Sequence, residues 1–86
     1  LYIDRNDTDK AADYLRQVST GAGNEAIRLL ATLRYARLLV AKDAPEDALK
    51  ALAISVPAGW GPAFHAVRGD VYYALGKRNE ARSEYE

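Results

Sequence analysis

The chain of 86 residues contains no cysteine, and it has one histidine, one tryptophan and one phenylalanine. Without cysteine there is no disulfide, no thiol nucleophile and no thiolate metal site. That absence suits the cytosol and an oxidising compartment equally. Neither sign of charge dominates: 12 basic and 12 acidic side chains give a formal net charge of zero. Nucleic-acid binders draw most of their affinity from phosphate contacts and normally carry a basic excess, so no nucleic-acid partner is expected. The longest mainly apolar stretch, Ala26 to Ala41, is interrupted by Arg28, Arg34 and Arg37 and cannot span a membrane. No targeting segment is visible.

Catalytic and cofactor signals are missing as well. His65 has no further ligand residues at the spacing a metal site needs, so neither a metal nor a general-base role is expected of it. Gly21-Ala22-Gly23 precedes a helical pattern, but no strand leads into it and no Gly-Lys-Ser/Thr follows. It reads as a linker and not as a phosphate cradle. No cluster of polar groups suggests a catalytic pocket. The expectation is a non-enzymatic protein without cofactor.

What is present is a globular composition, with 49% hydrophobic and 28% charged residues. This is enough for a single domain, residues 1–86, around a modest core. The chain begins at Leu1 without a methionine and stops at Glu86 inside a helical pattern, so it is expected to be a fragment of a longer protein.

A pattern recurs three times: Tyr2, Asn6, Ala11, Leu15 and Val18; then Leu39, Asp43, Ala48, Leu52 and Ser55; then Tyr72, Gly76, Ala81 and Tyr85. A large apolar residue precedes a turn former by four, an alanine follows by five, and another large apolar residue comes four later. The alanines Ala11, Ala48 and Ala81 recur at the period of a helix–turn–helix repeat. Gly76 is free to take the left-handed conformation and Asn6 tolerates it. Asp43 reads instead as an N-cap, with Glu46 as its capping-box partner and Pro45 in the first turn. The alanines let paired helices approach closely.

The pattern implies helices over about 8–18, from Asn24 as a cap to about Lys42, over about 44–54, from Pro62 to near Leu75, and from near Lys77 onward. Leu1 to Arg5 would be the tail of an earlier helix. The helix beginning at Asn24 is apolar almost all round, so it is buried on more than one side, as the middle of a stacked array requires.

Arg68-Gly69-Asp70-Val71-Tyr72-Tyr73-Ala74-Leu75-Gly76 followed by Ala81 and Tyr85 resembles a tetratricopeptide repeat. Leu33-Arg34-Tyr35-Ala36-Arg37-Leu38-Leu39-Val40-Ala41 with Glu46-Asp47-Ala48-Leu49 is similar to the YfgM family, as is Arg68-Gly69-Asp70 with Gly76-Lys77 and Ala81-Arg82. The resemblance runs from about residue 29 to 86. It implies an all-α fold: a right-handed solenoid of antiparallel helix–turn–helix repeats, about two and a half here. It also implies an interaction scaffold on the periplasmic side of the bacterial inner membrane, ancillary to the SecYEG translocon and associated with periplasmic chaperones. The membrane anchor of that family is not in this sequence.

In such arrays the first helix of each pair lines the concave, peptide-binding face. Matched by position, that face comprises Leu33, Arg37, Val40, Asp70 and Tyr73. Ala26, Leu30, Leu33, Arg37 and Val40 form one helical row, in which Arg37 could grip a partner carboxylate. Arg37 and Asp70 also occupy equivalent places in adjacent repeats, so they could instead form a structural ion pair. Trp60 is expected to pack over a helix start rather than to anchor a partner. The six tyrosines are expected in the core, with Tyr73 the exception. A partner protein, supplying a peptide or a helix, is the expected ligand. An oligomerisation module, pairing through Leu1-Tyr2-Ile3 and the face around Tyr85, is the alternative.

Overall fold

The structure is a computed structural model that describes residues 5–21 and 23–86, the side chains of residues 5–7 excepted. Among the described residues five helices follow one another: α1 (Arg5–Gly21), α2 (Glu25–Ala41), α3 (Pro45–Leu52), α4 (Gly61–Ala74) and α5 (Arg78–Tyr85). A single 3-10 turn, Ala58–Trp60, leads into α4. Among the described residues every regular element is helical, as the repeat pattern requires. The helices form two pairs, α2 with α3 and α4 with α5, and α1 packs along α2. The position of residues 1–4 as the tail of an earlier helix lies outside the described residues.

Local chemistry sets the boundaries. Asn24 caps α2, its Oδ1 accepting from the Ile27 amide at 3.1 Å. Both pairs turn by the same device. Asp43 adopts φ 63° and Gly76 φ 76°. Behind α2 the Ala44 amide donates to the Leu39 carbonyl at 2.7 Å, and the Asp43 amide to Val40 at 3.0 Å. Behind α4 the Lys77 amide donates to Tyr72 at 2.9 Å, and the Gly76 amide to Tyr73 at 3.0 Å. Each is a left-handed helix ending that satisfies carbonyls the helix would otherwise leave open. The repeat register is therefore written into the backbone.

Several expectations change. Asp43 is the left-handed turn residue and not an N-cap; Ala44 holds the cap position of α3 without a side-chain bond, so Glu46 has no capping box to complete. Pro45 does open α3. The turn expected at Asn6 is absent, because α1 already runs through it. α1 also continues past Val18, since the Ser19 and Thr20 hydroxyls donate back to the Arg16 carbonyl at 2.8 and 3.0 Å instead of breaking the helix. In the first unit Ala12 is buried and Ala11 is exposed, one position off the expected alanine. Ala48 and Ala81 are buried as expected.

The core lies between the two pairs. Leu29, Leu33, Ala36 and Leu39 of α2, Ala48 and Leu52 of α3, and Phe64, Val67 and Val71 of α4 form one buried cluster. Phe64, Leu52 and Val71 are fully enclosed. Burying each is worth about 1.5–3 kcal/mol relative to exposure. Trp60 is half-buried and packs against this cluster, as expected for a residue that fixes the entry of α4. The tyrosines depart from expectation: Tyr14 and Tyr85 are exposed together with Tyr73. Among the described residues, Tyr14 lies on α1, which packs against α2 alone, and Tyr85 lies on α5, which packs against α4 alone.

Candidate functional site

α2 and α4, the first helices of the two pairs, lie side by side. Arg37 sits on the open side of α2 and Asp70 at the equivalent place on α4. Their side chains meet, with Arg37 Nη1 3.1 Å from Asp70 Oδ2. Both remain accessible, 57% and 46% exposed. A pair this wet contributes only ~0–1 kcal/mol to stability. The charges are thus held in place without being consumed by the fold.

Asp70 has a second ligand. The Tyr85 hydroxyl donates to Asp70 Oδ1. That bond favours the neutral phenol and raises the Tyr85 pKa above its ordinary value, with burial and the negative charge of Asp70 adding to it. The ring of Tyr85 reaches Asp70 by crossing Gly69. A Cβ at Gly69 would lie 2.5 Å from Tyr85 Cε1, so only glycine lets the ring pass.

Arg37, Val40, Val67, Asp70 and Val71 line a shallow cleft of about 80 Å³. Small-molecule sites usually enclose about 300–1,000 Å³. A cleft this small admits one apolar side chain of a larger partner, beneath an Arg–Asp pair that can hydrogen-bond to its backbone or its charges. Tyr73, one turn beyond Asp70, is 63% exposed.

Of the five residues read from the sequence, Arg37, Val40 and Asp70 come together at this cleft, and Tyr73 extends the same row on α4. Leu33 does not belong to the accessible surface. It is 8% exposed and belongs to the buried cluster that α2 shares with α3 and α4. Nothing in the local sequence pointed to Tyr85 as the support of Asp70, although its aromatic character at the repeat offset was visible.

A second polar group ties α3, α4 and α5 together. Arg68 donates from Nη2 to the Leu52 carbonyl at 3.1 Å and places Nη1 3.6 Å from Glu84 Oε2. His65 Nδ1 lies 2.6 Å from the same Glu84 oxygen. These contacts join residues far apart in the chain, so no short-range signal could have found them. Among the described residues no group of three or more His, Cys, Asp or Glu is placed to hold a metal ion, and no helix is long and apolar enough to cross a membrane.

The whole chain, residues 1–86, matches the family model described as a tetratricopeptide repeat-like domain. The ancillary SecYEG translocon subunit of Escherichia coli (strain K12) is 31% identical over 85 residues, covering 99% of this chain and 41% of that protein. The chain therefore spans less than half the length of the curated relative it matches. No solved structure matches. The full-length match agrees with a backbone in which two helix pairs repeat the same left-handed turn, at Asp43 and again at Gly76, and the chain belongs to the tetratricopeptide repeat-like domain family.

Proposed function

We propose that this domain is a protein–protein interaction module, with no catalytic role, whose row Arg37, Val40, Asp70 and Tyr73 receives a peptide or helix of a partner protein. The observation that carries the reading is the Arg37–Asp70 pair, 3.1 Å apart and about half exposed above an apolar cleft. It offers a donor fork and an acceptor side by side, at negligible cost to the fold if a partner replaces one of them. The cleft beneath supplies an apolar anchor point, and Tyr73 the kind of exposed aromatic that interfaces favour.

We also propose that the module works on the periplasmic side of the bacterial inner membrane, beside the translocon and periplasmic chaperones. The support is the similarity to an ancillary SecYEG translocon subunit. A photocrosslinking residue at position 73, with a second at the exposed Lys50 of α3 as reference, tests both parts in cells. The expected result is a crosslink to a SecYEG subunit or a periplasmic chaperone from position 73 and none from position 50. The same products from both positions, or none from position 73, would remove the reading.

A further inference from the structure

The cleft between α2 and α4 is walled by two helices that pack on each other inside the fold, with Val40, Val67 and Val71 beside Arg37 and Asp70. What this row offers a partner depends on which of its two charges is already satisfied. Each oxygen of Asp70 has a ligand: Oδ1 accepts from the Tyr85 hydroxyl and Oδ2 from Arg37 Nη1. Arg37 is in the opposite position. Among the described residues its guanidinium donates to Asp70 alone, through Nη1, and its side chain is 57% exposed. A guanidinium presents several N–H groups in a rigid fork, so most of its donors are unspent.

Tyr85 creates that imbalance. Its ring lies over Gly69, where a Cβ would come within 2.5 Å of Cε1, so packing aims the hydroxyl at Asp70. With Oδ1 held by the phenol, Asp70 meets Arg37 through Oδ2. The two-pronged pairing by which a carboxylate and a guanidinium satisfy each other fully is not made. A partner carboxylate that takes Arg37 on its unspent side leaves Asp70 bonded to Tyr85. A partner cation that takes Asp70 leaves Arg37 without an acceptor and beside a like charge. The row is therefore complementary to an acid.

We propose that Tyr85 is a specificity-determining residue of this row: by tying up Asp70, it makes Arg37 the receptor for a side-chain carboxylate carried by a partner segment next to a small aliphatic residue. The aliphatic side chain enters the cleft, whose volume of about 80 Å³ suits one small apolar group. The segment runs on over Tyr73, exposed one turn beyond Asp70, so the carboxylate belongs to a side chain within it and not to a chain end. The assignment rests on the row being a partner-binding site.

Peptide selection reads the preference without a known partner. A random peptide library, joined to its carrier through the C-terminus so that side chains supply the peptide carboxylates, is selected on the chain and counter-selected on Arg37→Gln. The retained peptides are expected to carry Asp or Glu next to Val, Leu, Ile or Ala. A retained peptide and its glutamine twin, both amidated, are then titrated by calorimetry against the parent and Tyr85→Phe. The parent is expected to bind the acidic peptide about tenfold tighter than the twin, the equivalent of ~1.4 kcal/mol. In Tyr85→Phe the freed Asp70 turns both oxygens onto Arg37 and competes with the peptide. The ratio is then expected to fall to about threefold or less, with the twin bound as before. Loss of a merely structural contact would weaken both peptides alike and leave the ratio unchanged. The phenylalanine ring still lies over Gly69, so the variant keeps its helical circular dichroism. Retained peptides without an acid, or with Lys or Arg in its place, overturn the acidic preference while leaving the row a binding site. An unchanged ratio in Tyr85→Phe overturns the role of Tyr85. If no peptide is retained, or the retained ones bind Arg37→Gln equally well, the inference falls together with the reading of the row on which it rests.

Discussion

Replacing Asp43 with glycine should stabilise the protein, and the size of the gain can be worked from the backbone. Asp43 holds φ 63° at the place where the next repeat has Gly76 at φ 76°. An L-residue in that region is strained by roughly 1–2 kcal/mol, aspartate less than most. Glycine removes the strain but makes the unfolded chain more flexible, which costs about 0.5–1 kcal/mol. The Asp43 carboxylate has no hydrogen-bond or ion-pair partner among the described residues, so nothing else is lost. The difference between the strain removed and the flexibility added is a gain of about 0.5 kcal/mol for Asp43→Gly. The reciprocal Gly76→Asp should lose about the same, because it recreates the first turn at the second. With a urea m-value of about 1 kcal/mol/M for so small a domain, each midpoint moves by about 0.5 M, in opposite directions. A lower midpoint for Asp43→Gly would refute the reasoning. It would mean that the Asp43 side chain holds the turn and that the two turns are not equivalent.

Arg37→Ala should leave unfolding free energy within about 1 kcal/mol of the parent, since the pair with Asp70 is exposed; urea denaturation checks this. Arg68→Ala should cost more, about 1.5–3 kcal/mol, because it removes a charge-assisted bond to the Leu52 carbonyl and a neighbour of Glu84 in a partly buried site. A loss below that of Arg37→Ala would contradict the ranking. The Tyr85–Asp70 bond gives a pH signature. The folded phenol has a raised pKa because it donates to Asp70, so this stabilisation is whole below the ordinary tyrosine value of 10.0 and is lost as pH rises through the higher folded value. Thermal melts between neutral pH and about pH 11 should show a fall for the parent that is smaller in Tyr85→Phe, which has no phenol to ionise.

Much of the fold was legible because its signals are local or periodic. Asn24, Pro45, Pro62 and Gly76 each mark a helix end by a mechanism that acts within four residues. The apolar circumference of α2 announced burial on several sides. Asp43 misled for a physical reason. Aspartate suits both an N-cap and a left-handed turn, and only the Ala44–Leu39 bond decides between them. Ser19 and Thr20 misled similarly, because hydroxyls that commonly end helices here bond back into one.

The candidate row was legible in position but not in depth. Helical spacing put Leu33 with Arg37 and Val40, yet spacing alone cannot tell which member of a row lies beneath a neighbouring helix. The equivalence of positions 37 and 70 in adjacent repeats correctly raised the Arg37–Asp70 pair. It could not reveal that Tyr85 supports Asp70 by crossing Gly69, because that contact depends on how α5 packs on α4. The exposure of Tyr14 and Tyr85 was hidden for the same reason: among the described residues each of their helices has one neighbour.

The interaction role is tested most directly by exchanging the two charges of the row. The double variant Arg37→Asp/Asp70→Arg keeps an opposite pair at the same place and gives up only the Tyr85–Asp70 bond, so the domain should still fold, with a loss of about 0.5–1.5 kcal/mol in urea denaturation. Its charge pattern toward a partner is reversed. In cells, crosslinking from position 73 to a translocon subunit or chaperone should therefore fall at least tenfold, a loss of ~1.4 kcal/mol or more in binding. Unchanged crosslinking by the well-folded exchange variant would show that Arg37 and Asp70 are a structural pair alone and that any partner binds elsewhere.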